Sequence, residues 1–252
     1  MEANANDYGQ MNFNLPHDVV KLPSGGKFYK PKKSSLKVGY LTANDENILM
    51  SPNAGKEGLV MTLLRNKIYE PGFDIKQLIN GDVEAILLFL RNTSFGAEYT
   101  FNLIDPATKK DFEATLLFDE VNFSPTLHEP DDEGYFYFTL PKTGKKLKLR
   151  LLSMGEEREI QDELNKYPVG MVAPIVTRKF EKQIVSIDGD EDRTKIVTLV
   201  PQIPISDSKS LKKFLSECEP KLDLKRNVIA PSGEKVEVDF AFGVEFFRPI
   251  FE

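Results

Sequence analysis

The sequence predicts an α+β fold built as a tandem duplication, each unit a β-hairpin followed by helices and then a second β-hairpin. Three observations predict it. The stretch NLIDPATKK at 102–110 recurs as NVIAPSGEK at 227–235, so that Asn102, Ile104, Pro106 and Lys110 meet Asn227, Ile229, Pro231 and Lys235. The same register runs back without a gap to Asp82 and Asp207, through Ile86 with Leu211, Phe89 with Phe214 and Leu90 with Leu215. Upstream the offset changes but the order of features holds: KLPSGGKFY (21–29) resembles TLPKTGKKL (139–147), and SLKVGYLTANDENIL (35–49) resembles LKLRLLSMGEEREI (147–160). Several weak matches in one order point to a repeated unit of about 110 residues. The expected organisation is a mobile, Asn-rich tail over 1–16, a first unit over 17–123, an exposed linker over 124–135 rich in Pro and acidic residues, and a second unit over 136–252.

Each element follows from local chemistry. LPSGGKFY and LPKTGKKLKLRLL alternate apolar and polar residues around glycine turns, which suits hairpins or paired strands. Thr42 with Asp45, and Ser153 with Glu156, fit the capping box, in which a hydroxyl accepts from a free helix N–H and an acid answers three positions later. Helices are therefore expected to begin at Thr42 and Ser153. KEGLVMTLLRNKI (56–68) carries a broad apolar face at helical spacing. NGDVEAILLFLRNTS (80–94) is a further helix with Asp82 as its expected N-cap, Ile86, Leu87, Phe89 and Leu90 forming its core face. Its counterpart starts near Ser206 or Asp207. AEYTFNLIDPATKKDFEATLLF (97–118) and DLKRNVIAPSGEKVEVDF (223–240) alternate on both sides of a Pro-containing turn and read as hairpins, so the repeated stretch is a hairpin tip. Across 166–206 the β-branched content favours strands, whereas DEDRTKIVTLV (190–200) fits a short helix capped by acids, the assignment preferred there.

Composition excludes several classes. The 252 residues are 40% hydrophobic and 29% charged, an ordinary globular balance. A net charge of −6 argues against a dedicated nucleic-acid binder. No run of roughly 18 apolar residues offers a membrane span, and the polar N-terminal stretch does not read as a signal peptide. The single Cys218 excludes an internal disulfide and reads as a small apolar helix residue. With only His17 and His128 beside it, a zinc site of thiolate and imidazole ligands is not expected. The acidic run at 188–192 lacks the glycine and terminal acid of a calcium loop, and SGGK (24–27) lacks the spacing of a phosphate loop. No catalytic motif is visible, so the expectation is a protein that is not an enzyme and needs no cofactor or metal.

A resemblance adds to this reading. FTLPKTGKKLKLRLLSMGEER (138–158), IVSIDGDEDRTKIV (184–197), ISDSKSLKKFLSECEPKLDL (205–224) and GVEFFRPIF (243–251) resemble the T4-type baseplate hub assembly chaperone family of contractile-tailed phages. EFFRP (245–249) is similar to that family's closing Phe-Phe-x-Pro element, and in the first half LPSGGKFY (22–29), NGDVEAILLFLR (80–91) and SFGAEY (94–99) look like it as well. One departure stands out: the resemblance implies Cys pairs at the hairpin tips, where this chain has IDPATKK and IAPSGEK. The resemblance implies a transient assembly factor in the cytoplasm of the infected host, binding baseplate hub proteins and scarce or absent in the mature virion. The alternative is a permanent structural part of the baseplate or tail. Hairpin edges could hold a client strand. Phe246, Phe247, Arg248 and Phe251 form the candidate partner-binding patch; the competing placement packs these rings under the second unit.

Overall fold

The computed structural model describes residues 16–50, 58–118, 122–124, 126–168, 170–223, 225–239 and 247. Seven α-helices and eleven short antiparallel strands make up the described residues, an α+β fold as expected. All but the last residue of the tail expected over 1–16 lies outside them.

In the first half, β1 (His17–Lys21) pairs with β2 (Ser35–Gly39). LPSGGKFY lies between these strands as a run of turns rather than as strand. Gly26 decides this: its φ is +72°, and a Cβ there would sit 1.9 Å from the Lys33 carbonyl oxygen. α1 (Ala43–Met50) starts after Thr42 as expected, but only half of the capping box forms: the Thr42 N–H and Oγ1 both donate to the Asp45 carboxylate at 2.7 Å, while the Asp45 N–H donates to the Thr42 carbonyl at 2.9 Å instead of the hydroxyl. Asp45 also forms a buried ion pair with Lys67 on α2 (Leu59–Lys67), so that box ties two helices together. After a 3-10 turn (Ile75–Gln77) comes α3 (Asn80–Phe95), followed by the hairpin of β3 (Glu98–Ile104) and β4 (Asp111–Leu117). A two-residue strand, β5 (Phe123–Ser124), precedes the second half.

There, β6 (Phe136–Thr139), β7 (Lys146–Leu149) and β8 (Ile184–Ile187) form a three-stranded sheet in that order. α4 (Met154–Leu164) begins at the full Ser153–Glu156 box, reinforced by Arg150, which grips Glu156 at 2.7 and 2.5 Å. The region expected to favour strands instead forms α5 (Ile175–Gln183), with only β8 extended after it. Its β-branched residues occupy the first turn alone. Beyond them Lys179 and Lys182 pair with Glu157 and Glu159 of α4 at 3.1 and 2.7 Å, while Phe180 enters the core. α6 (Arg193–Leu199) is the acid-capped helix, Asp192 accepting the Thr194 N–H at 2.9 Å. α7 (Ile205–Cys218), β9 (Lys221–Leu222) and the hairpin of β10 (Lys225–Ile229) and β11 (Lys235–Asp239) complete the order.

Asp82 does not cap α3. Ile79 holds the N-cap position, Pro204 the matching one on α7, and the two aspartates stand third in their helices, both fully buried. Each receives an LP turn of its own half. Asp82 accepts the Ser24 N–H at 2.9 Å, the Ser24 hydroxyl at 2.5 Å and the Tyr29 hydroxyl. Asp207 accepts the N–H groups of Lys142 and Thr143 at 2.8 and 3.0 Å and the Thr143 hydroxyl at 2.8 Å. A carboxylate in a helix's first turn also meets the positive end of its dipole. Burial raises the Asp82 carboxyl against the pull of its donors; at Asp207 burial also pushes upward, but the donors prevail and the carboxyl is lowered.

The two halves interlock. The first core cluster gathers Leu36, Leu63, Ile86 and Leu90 but also takes Leu222 and Phe247, while the second, around Leu149, Ile184 and Leu211, takes Ile79. β5 pairs with β9, and the Met154 N–H reaches the Leu78 carbonyl at 2.7 Å. At the start of α3, a Cβ on Gly81 would lie 2.1 Å from the Pro220 carbonyl oxygen, so only glycine lets the chains approach. The uncapped Asn80 N–H beside it donates to Glu219 at 3.2 Å, so the second half caps the first half's long helix. Over 126–135, the Leu127 N–H donates to the Glu217 carbonyl at 3.0 Å and the His128 ring lies 4.5 Å from that of Phe214.

Candidate interaction surface at the twin hairpins

The first hairpin leaves the body directly at the end of a long helix and its turn, the second after α7 and the short strand β9. α3 stops at Gly96, whose φ of +79° reverses the chain. Arg91, on the last turns of α3, is buried and donates to the Gly96 and Glu98 carbonyls at 2.5 and 2.9 Å, its guanidinium lying among the rings of Phe95, Tyr99 and Phe118. It ties the end of α3 to the start of β3. Burial lowers its ordinarily very high pKa. Along the ribbon Thr100 faces Thr115 with the hydroxyls 3.1 Å apart, and Ala114 and Leu116 turn inward.

The repeated tips touch each other. Asp105 is buried beneath its own turn, accepting the Ala107 and Thr108 N–H groups at 2.9 and 3.2 Å. Its remaining capacity goes to the other tip, the Ser232 hydroxyl at 2.8 Å and N–H at 3.1 Å. Burial works against this carboxylate, yet Ser232 and the turn amides outweigh it and bring its pKa to about 2. Beside the joint, the matched residues Ile104 and Ile229 stay 61% and 57% exposed. Each ribbon has two strands only, so among the described residues no further strand covers their outer edges. The chemistry on offer is therefore unpaired backbone donors and acceptors beside exposed isoleucines, suited to an extended segment of another protein.

Of the sequence-derived patch only Phe247 is among the described residues. Phe247 is 1% exposed and belongs to the first core cluster, not to the second half's core. Phe246, Arg248 and Phe251 lie outside the described residues. Cys218 closes α7 as a buried thiol, pushed up to about 12 by burial. Among the described residues no group of three or more His, Cys, Asp or Glu side chains is placed to hold a metal ion.

Comparison with known families adds the decisive observation: residues 16–248 match the family described as T4 bacteriophage base plate protein. The chain belongs to this family. Its hairpins, joined tips and interlocked cores are thus features of a phage baseplate protein. No curated protein and no solved structure matches the chain. No helix among the described residues is long and apolar enough to cross a membrane.

Arg91, Asp105 and Glu219 escaped the sequence reading. Asp105 carried a signal, since Asp-Pro opens the tip, but its partner Ser232 lies 127 positions away. Arg91 and Glu219 carried none, because their partners are backbone groups, which every residue supplies.

Proposed function

We propose that this baseplate protein is a non-catalytic assembly factor for the hub, binding hub components transiently while the baseplate is built. The single observation that carries the reading is the pair of two-stranded ribbons with open edges and exposed, matched isoleucines, on a chain of a baseplate family. A ribbon edge is easily engaged and easily released, which suits a temporary partner better than a deep core contact. Arg248 and Phe251 are a second, sequence-derived contact in the same reading. The chain arose by duplication in this account: the two aspartates in equivalent helical positions, each receiving its own LP turn, support that origin. Two related ribbons can then span neighbouring subunits.

The test is co-purification with each hub protein of the same phage. The double variant Ile104→Asp, Ile229→Asp should lose about tenfold in affinity while keeping its thermal midpoint, since both side chains are exposed. Unchanged affinity in that variant would remove the hairpins from the proposed site.

A further inference from the structure

Exposed apolar side chains on this chain are mostly scattered, but one run concentrates them. Met171 and Val172 on the α4–α5 connection are 66% and 93% exposed, and Ile175 and Val176 open α5 still half-exposed. The run leads into a cleft of about 330 Å³ between α5 and α7. Leu151, Leu152, Phe180 and Leu215 line it from the core side, with Ile175 and Val176 at its rim. Four apolar side chains standing open along one short run are an unusual cost, where Ile104, Leu127, Ile205 and Ile229 are exposed singly.

The charge around the cleft is lopsided. Lys179, Lys212 and Lys221 face it with Glu157 and Glu219. Glu157 is paired with Lys179 at 3.1 Å, while Glu219 accepts the Asn80 N–H at 3.2 Å and sets its charge against the nearby Lys221. Lys221 donates to the Ser216 hydroxyl. The solvent stripe of α7 runs Ile205, Lys209, Lys212, Ser216 at helical spacing, all exposed, and neither Lys209 nor Lys212 has a carboxylate partner among the described residues. On a chain of net charge −6, an apolar cleft bordered by unneutralised lysines has a definite complement.

We propose that the cleft between α5 and α7 docks a short segment of a baseplate partner protein whose apolar side chains are flanked by carboxylates. The apolar side chains meet Leu151, Leu152, Ile175 and Val176, and the carboxylates meet Lys212 in the cleft wall and Lys209 beyond it on the same exposed stripe of α7. This rests on the assembly-factor reading and adds a second contact surface, distinct from the hairpins, with its own chemistry. A client gripped at both places is held by two weak contacts whose strengths multiply, and it is freed when either one is lost.

The probe is whichever purified baseplate protein of the same phage binds the wild-type chain, titrated by calorimetry against three full-length variants. Ile175→Asp with Val176→Asp removes the apolar rim, Lys209→Glu with Lys212→Glu reverses the charge, and Ile104→Asp with Ile229→Asp serves as the hairpin control. Both cleft variants should weaken binding by about tenfold, and the lysine variant, whose altered side chains are exposed, should do so without shifting the thermal midpoint. The charge-reversed variant should also lose most of the wild-type salt dependence. Cleft variants that bind within about twofold of wild type overturn the proposal even if the hairpin control fails to bind. A shift from dimer to monomer in the cleft variants with partner affinity intact assigns the cleft to a second copy and overturns it likewise. Tighter partner binding after removal of residues 248–252 makes that segment the occupant, again against the proposal. If no baseplate protein binds the wild-type chain, the assembly-factor reading itself falls and takes the cleft with it.

Discussion

Glu219 concentrates the chemistry of the seam at the residue scale. Burial, and then the nearby Glu157, raise its carboxyl from 4.5 to about 7. The folded protein therefore holds this proton more tightly than the unfolded chain, so protonation favours folding. The stability it confers is complete below pH 4.5 and is lost as pH rises to about 7. Glu219→Gln keeps an oxygen for the Asn80 N–H but removes the titration, and should stabilise the protein at pH 8 by about 2 kcal/mol after allowance for partial exposure. Urea midpoints of both proteins from pH 4.5 to 8 check this, and a wild-type-minus-variant difference that stays flat with pH contradicts it. Asp105 has the opposite sign: its lowered carboxyl supports folding above the ordinary aspartate range, and that support fades as pH falls towards about 2. Which carboxylates are shifted was not legible from the chain, because Asp82, Asp105 and Asp207 each take donors from residues far away in sequence.

At the scale of elements, helix caps and hairpins were legible because their causes are local. Ser153–Glu156 and Thr42–Asp45 mark α4 and α1, and the alternation around Pro106 and Pro231 marks both ribbons. α5 was missed because Ile175, Val176 and Thr177 suggest strand, while the lysine–glutamate contacts that favour helix come from α4, which a local pattern does not show. Asp82 misled for a related reason: an acid near a helix start looks like a cap, whereas here it binds a distant turn. Arg91 ties the first ribbon to α3. Arg91→Ala leaves the Gly96 and Glu98 carbonyls without their donor and should cost about 3 kcal/mol, with faster proteolysis near β3. Arg91→Lys should recover only part, since an ammonium lacks the guanidinium fork. An alanine variant as stable as wild type would show that the surrounding rings, not the forked donor, hold the ribbon to α3.

At the scale of the whole molecule the repetition left open whether the two units fold apart or share a core, and the structure shows exchange between them: Leu222 and Phe247 complete the first core, Ile79 joins the second, and Glu219 caps α3. These exchanges join residues far apart in sequence and leave no periodicity to read. The candidate patch shows the same gap: the Phe-Phe pair was visible, but not that Phe247 would be drawn into the opposite half's core. An interlocked body presenting two ribbons and an apolar cleft offers several separate contact surfaces on a phage baseplate protein, which suits the proposed assembly role. The most direct test is quantitative mass spectrometry of this protein in infected-cell lysate and in purified virions. The account predicts abundance during assembly and loss from the finished particle. A fixed copy number in the virion would contradict it and make the protein a permanent part of the baseplate.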